Sequence, residues 1–198
     1  MNKQQLIAHL KQQGFSQRII QAFENVNRED FVLKQYKEHA YQDSPLPIGY
    51  GQTISQPYTI AFMLDLLELK SNLNILEIGS GSGYVLGLIN ELSKNSEIYG
   101  IERIGKLVHN SKKVLKDKKN IKIIHGDGSK GLKKYGPYDR ILISASAEEI
   151  PQKIISQLKF GGILVCVVKN SVYFIKRELK QTKIKEYPGF VFVPLVEG

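Results

Sequence analysis

Through the first quarter of the chain, apolar residues fall three or four positions apart, the spacing that gathers them on one face of a helix. Leu6, Ile7 and Leu10 form such a face over residues 3–13, and Gly14 supplies a left-handed stop. Ser16 is placed to cap a second helix, whose inner face is Ile19, Ile20, Phe23 and Val26. Residues 27–41 mix aromatics and aliphatics without one period and read as short helical turns. The segment DSPLPIGYG, residues 43–51, holds two prolines and two glycines and predicts a shaped loop, neither strand nor helix. A further helix is expected from about Gln56, with Ser55 as its cap, Pro57 in its first turn and Ile60, Met63, Leu64 and Leu67 facing inward.

Beyond residue 72 the pattern changes to short, nearly continuous apolar runs separated by amphipathic stretches. Runs at 73–78, 97–101, 121–125, 139–144 and 163–168 predict strands buried on both faces, hence a parallel sheet with helices on both sides. One covering helix is expected at 149–158. VYFIKREL at 172–179 and FVFVPL at 190–195 predict two more strands, antiparallel at the sheet edge. The expectation is an α/β fold, a doubly wound, Rossmann-like sheet in one domain spanning 1–198. Residues 1–55 would form a helical extension and loop, and residues 56–198 the core.

The centre of that pattern is NILEIGSGSGYVLGLI, residues 74–89, an apolar strand that enters a glycine turn and leaves as an apolar helix. Such a turn makes a nucleoside-cofactor site, because Gly79, Gly81 and Gly83 have no side chains to hold a ligand away. Glu77, two residues before Gly79, would repel a diphosphate but can help hold a cation or ammonium. The spacing is Gly-x-Gly-x-Gly, unlike the Gly-x-Gly-x-x-Gly of dinucleotide sites. Both features favour S-adenosyl-L-methionine, with Ser80 inside the same turn. Glu102 closes the next strand, where an acid can accept hydrogen bonds from ribose hydroxyls. Asp127 and Gly128 reach the same edge from the third strand, the acid facing an adenine amino group and the glycine leaving room for the ring. A bare Asp-Gly turn is the plainer reading of that pair.

Charge and composition narrow the choice. The 198 residues carry a formal net charge of +9. The lysines are spread along helical faces, as in SKKVLKDKK, so the charge alone does not point to nucleic-acid binding, and none is expected. No apolar run reaches the roughly 18 residues of a membrane span, and no leader pattern follows Met1, so a cytoplasmic protein without membrane attachment is expected. Cys166 lies in GGILVCVV and reads as a buried strand residue. The four histidines and one cysteine show no metal-ligand spacing, so no metal is expected.

PLPIGYGQTISQPYTIAFML, LEIGSGSGY, IER, GDG, PYDRILISASAEEIP and FVPL occur in this order, and together they resemble the protein-L-isoaspartate O-methyltransferase family. The resemblance covers nearly the whole chain, and GYGQTIS is its most specific part. It implies a repair enzyme that methylates the abnormal carboxyl of isoaspartyl residues in proteins and peptides, using S-adenosyl-L-methionine. Carried over, it makes Ser55 the active-site serine and sets Thr53 and Ile54 against the cofactor. Gly79, Ser80 and Gly81 would hold the methionine end, Glu102 the ribose, and Asp127 with Gly128 the adenine. Ser144 to Ala147 and residues 190–195 would border the peptide. The chain departs from the family pattern at Asn27 and Glu148, where proline is usual, and at VVKN, which replaces Pro-Val-Gly. An RNA methyltransferase and a non-catalytic adenosylmethionine-binding module are the competing readings. Against the first, Ser144-Ala145-Ser146-Ala147 is not the Asn-Pro-Pro-aromatic loop of base amino methylation.

Overall fold

The structure, a computed structural model, describes residues 1–195. Helices α1 (Lys3–Gln12) and α2 (Gln17–Asn25) open the chain, and two 3-10 turns, Arg28–Phe31 and Lys34–His39, follow them. Gly14 has a φ of 84° and ends α1, while the Ser16 hydroxyl accepts the Ile19 N–H at 3.4 Å and caps α2. Strands β1 (Leu46–Gly49) and β2 (Gln52–Ile54) then lead into α3 (Pro57–Leu66). Alternation follows, through β3 (Asn74–Ile78), α4 (Tyr84–Leu92), β4 (Glu97–Glu102), α5 (Gly105–Val114), β5 (Ile121–His125), β6 (Tyr138–Ala147), α6 (Gln152–Ile155) and β7 (Leu158–Val168). Strands β8 (Ser171–Arg177) and β9 (Thr182–Pro188) complete the regular structure of the described residues.

Seven strands form one sheet in the order β5-β4-β3-β6-β7-β8-β9. The first five are parallel, and β8 and β9 are antiparallel additions at one edge. The chain winds from β3 outward to β5, then returns to β6 on the other side of β3. Direction of winding therefore reverses at the carboxyl end of β3, where an open α/β sheet leaves a crevice. One face of the sheet, through Ile75, Ile98, Leu142 and Val165, packs under α1 to α5. The other, through Leu76, Ile101, Ile143 and Leu164, is covered by Ile154 and Ile155 of α6 and by Tyr135, Tyr138 and Leu158. Cys166 lies on this second face, fully buried, and burial pushes its thiol up to about 12, the condition of an inert core residue.

Three expectations are corrected. The 43–51 segment, expected as a shaped loop without strand, contains β1, which pairs antiparallel with β2 around Tyr50 and Gly51, with φ of 57° and 71°. Two left-handed residues make the tight hairpin turn, and a tyrosine in that conformation gives no advance sign. The helix expected over 149–158 is only the four residues of α6: it starts after Pro151, a turn at 156–157 ends it, and β7 begins at Leu158. Residues 190–195 form no strand. The edge strand is β9, whose TKIKEYP residues are almost all exposed and carry no apolar face to announce it.

Candidate active site

The carboxyl ends of β3, β4 and β5 bring four of the ten expected cofactor residues to one cavity. Gly79, Glu102, Asp127 and Gly128 line this narrow cavity of about 50 Å³ together with Gln52, Pro194 and Leu195, while Glu77, Ser80, Gly81 and Gly83 are not part of its lining. Thr53 and Ser55 line a different cavity, of about 650 Å³, with Pro45, Gln56, Tyr58, Thr59 and residues 188–193. Ile54 lines neither cavity; it is 4% exposed and belongs to the core. The two cavities share the C-terminal strap, residues 189–195. The strap is held to β6 where Ser146 N donates to Val193 O at 2.8 Å and Leu195 N to Ser146 O at 2.7 Å.

The glycine turn is shaped by positive φ at Gly79, Gly81 and Gly83, 77°, 49° and 85°. Four of its N–H groups are satisfied inside the protein. Gly79 N and Ser80 N donate to Ile101 O at 2.9 and 3.3 Å, Gly83 N to Ser80 O at 2.8 Å, and Gly81 N to Glu102 Oε2 at 2.9 Å. A phosphate-binding turn keeps such donors for its anion; this one spends them, which fits a cofactor without phosphate. Gly83 faces away from the cavity, since a Cβ there would stand 3.0 Å from Leu115 and Ser111 near the end of α5. The Ser80 side chain likewise turns under the loop toward Gly100, and its hydroxyl is buried without a partner among the described residues.

Three carboxylates surround this turn in different states. Glu102 is 6% exposed and accepts the Gly81 and Ile104 N–H groups, each at 2.9 Å, so it braces the loop as well as lining the cavity. Asp127 accepts the Ser129 N–H at 2.8 Å and its hydroxyl at 2.9 Å, the turn closure that an Asp-Gly pair favours. Gly128 is required by packing, because a Cβ would lie 2.7 Å from Ile78 and 2.9 Å from Ile101. Glu77 is 1% exposed. Burial pushes its carboxyl up to about 8, the Ser144 hydroxyl donating at 2.8 Å opposes that rise, and nearby Glu102 adds to it. Its Oε2 has no partner among the described residues, an orphan that a ligand ammonium or sulfonium suits.

Ser55 does not cap α3. The cap position is Gln56 without a side-chain bond, and the Tyr58 N–H of the first turn is accepted instead by Asp43 Oδ1 at 2.8 Å. Asp43 reaches the helix from the loop before β1, and Oδ2 also accepts Gln56 Nε2 at 3.0 Å. A capping group twelve residues upstream of Ser55 has no local spacing to reveal it. The Ser55 hydroxyl is left without a hydrogen-bond partner among the described residues, at the wall of the larger cavity. The sequence reading also missed Arg28, which is fully buried beneath this wall. Its Nε donates to Ala40 O and its Nη2 to Ser55 O, both at 2.9 Å, and Nη2 lies 3.4 Å from Ser44 O. Desolvation draws its pKa down to about 10, leaving it a cation near neutral pH. In REDF it has the look of a surface charge, and no side-chain pattern marks an arginine whose partners are carbonyls.

The departures lie outside the two cavities. Asn27 accepts Lys3 Nζ at 2.7 Å near α1, Glu148 follows β6, and Lys169, φ 53°, turns the chain from β7 to β8. Among the described residues no group of three or more His, Cys, Asp or Glu is placed to hold a metal, and no helix is long and apolar enough to cross a membrane.

Comparison with known proteins places this geometry. A protein-L-isoaspartate O-methyltransferase of Thermococcus sibiricus is 43% identical, covering 96% of this chain and 91% of that protein. One of Christiangramia forsetii is 39% identical over 98% of this chain and 94% of its own length. Among solved structures, a Plasmodium falciparum protein described as a protein-L-isoaspartate O-methyltransferase, in complex with S-adenosyl-L-homocysteine, superposes with a TM-score of 0.87 at 28% identity, all of both chains being covered. A second structure of that name gives 0.90 at 25% identity over all of this chain and 66% of the other. The family described as protein-L-isoaspartate(D-aspartate) O-methyltransferase matches residues 1–198 without remainder, and the chain therefore belongs to it.

Proposed function

We propose that this protein transfers the methyl group of S-adenosyl-L-methionine to the free carboxyl of L-isoaspartyl residues in damaged proteins, the first step of their repair. The observation that carries this reading is the pair of adjoining cavities: a carboxylate-lined cleft at the sheet's switch point beside a larger cavity whose lining, among the described residues, has hydroxyls and amides but no charged side chain.

The residues at these strand ends suit the cofactor. Glu77, outside the lining of the cleft, holds an orphaned, buried oxygen suited to its cationic end, Glu102 offers the remaining lone pairs of a braced carboxylate to ribose hydroxyls, and Asp127 with Gly128 stands where the adenine is expected. Gly79 and Gly81 leave the backbone bare beside it, while Thr53, Ile54, Ser80 and Gly83 act by shaping the surrounding loops. The cofactor, when bound, supplies an electrophilic methyl on a positive sulfur.

An aspartyl-type carboxylate, with pKa near 4, is already ionised at pH 7 and needs no general base. The protein has to orient it and remove its water. A cation in the cavity would bind the carboxylate but blunt its nucleophilicity. Hydroxyl and amide donors hold it more lightly, and Ser55, whose hydroxyl is uncommitted, is the donor assigned to align one oxygen. Ser55 is not itself a nucleophile on this reading. The test is incubation with methyl-labelled S-adenosyl-L-methionine and matched peptides containing isoaspartate or aspartate. Base-labile label on the isoaspartyl peptide alone is expected; label on neither peptide, or on added RNA instead, overturns the assignment.

A further inference from the structure

Ser55 lies between the end of β2 and the start of α3, where neither ladder holds it. The first intrahelical bond of α3 runs from Ile60 N to Gln56 O, one residue beyond it. Its backbone carbonyl is instead held by Arg28 Nη2 at 2.9 Å. The same guanidinium gathers Ala40 O, at the end of the second 3-10 turn, and Ser44 O, ahead of β1. Its Cζ sits 5.2 Å from the centroid of the Tyr84 ring, the first residue of the helix that leaves the glycine turn. One planar group thus ties the N-terminal segment, the hairpin and the Ser55 linker to the helix beside the cofactor cleft.

This is a costly way to make a core. A guanidinium in the interior loses several kcal/mol of hydration, and an apolar side chain of its size is commonly as good for stability or better. Here no carboxylate is hydrogen-bonded to Arg28, and Nη1 is buried with no partner among the described residues. What the arginine provides and an apolar residue cannot is a rigid fork that fixes several carbonyls in one plane.

We propose that Arg28 is a positioning residue for methyl transfer, setting the Ser55 backbone so that the serine hydroxyl meets the substrate carboxylate in line with the cofactor cleft. This rests on the reading of Ser55 as the aligning donor. Arg28 touches neither ligand and acts through Ser55 alone. Lysine keeps the charge but cannot span the three carbonyls, and methionine keeps much of the volume without either property.

The experiment compares the wild-type protein with Arg28→Lys, Arg28→Met, Ser55→Ala and the Arg28→Lys/Ser55→Ala double variant, each shown to be folded at the assay temperature by near-ultraviolet circular dichroism. Arg28→Lys is expected to fold, to bind S-adenosyl-L-homocysteine within about 3-fold of wild type, and to lose about 100-fold in kcat, the scale of a displacement near 1 Å. Arg28→Met is expected to lose at least as much. Adding Ser55→Ala to Arg28→Lys should then cost less than about 3-fold, because the serine is already misplaced and residues acting as one unit are not additive. If Ser55→Ala is strongly impaired while Arg28→Lys turns over normally, or if the two losses multiply, Arg28 does not act through Ser55 and the inference falls while the Ser55 reading stands. Normal turnover by Ser55→Ala removes that reading and the inference with it. Failure of both Arg28 variants to fold would make the arginine a determinant of the fold and also overturns the proposal.

Discussion

At the scale of single residues, the sequence announces groups that sit in a repeating local frame and hides those whose partners are distant backbone atoms. Glu77 was legible because it stands two positions ahead of a glycine turn; that it is buried beside Ser144 was not, since their strands meet only in the sheet. Its pKa is raised from 4.5 to about 8, so the folded state holds the proton more tightly than the unfolded one. Stability from this group is complete below about pH 4.5 and declines as pH rises through 8. Glu77→Gln should flatten that decline and make the ligand-free protein relatively more stable at pH 8, while weakening its affinity for S-adenosyl-L-homocysteine. Urea midpoints at several pH values and calorimetric titration would check both effects. Asp43 gives a second prediction. Asp43→Ala should cost about 1 to 2 kcal/mol through loss of the α3 cap, whereas Ser55→Ala should change stability by less than about 0.5 kcal/mol, having no cap bond to lose. Equal losses in denaturation would return the cap to Ser55.

At the scale of elements, the strand-turn-helix unit was readable because an apolar run, three glycines and a second apolar run each say the same thing. The hairpin was not, since its strands are three or four residues long and its turn puts a tyrosine at positive φ. The hairpin and the glycine turn are in contact all the same: a Cβ on Gly81 would meet Ile48 of β1 at 3.2 Å. Gly83 serves packing of another kind. Gly83→Ala would place its methyl 3.0 Å from Leu115 and Ser111 at an unfavourable φ, and should destabilise the protein by about 1 to 3 kcal/mol. Measured where the variant is still fully folded, its affinity for S-adenosyl-L-homocysteine should stay within about 3-fold; a selective loss of affinity would mean the glycine serves the ligand directly. The strap after β9 is seated on α3 by Phe62, whose ring stacks on Phe190 and meets Tyr187 edge-on, both with centroids 5.2 Å apart. Phe62→Ala removes two contacts worth roughly 0.5 to 1.5 kcal/mol each. It should raise the KM for an isoaspartyl peptide about 3- to 10-fold, with a smaller effect on kcat, in steady-state assays.

At the scale of the whole molecule, a doubly wound sheet followed from the alternation of apolar runs and amphipathic stretches, and its order places the reversal of winding where the glycine turn stands. The edge was harder to read, because β9 is polar on both faces, while FVFVPL, which has the composition of a strand, serves as cover for two cavities. On the proposed reading that strap gives the two ligand sites a common wall. Phe190 to Val193 border the larger cavity, Pro194 and Leu195 line the narrow one, and two backbone hydrogen bonds to Ser146 hold the junction. Any movement of the wall that favours one occupant is felt by the other, and linkage makes the effect mutual: the factor by which cofactor tightens peptide is the factor by which peptide tightens cofactor.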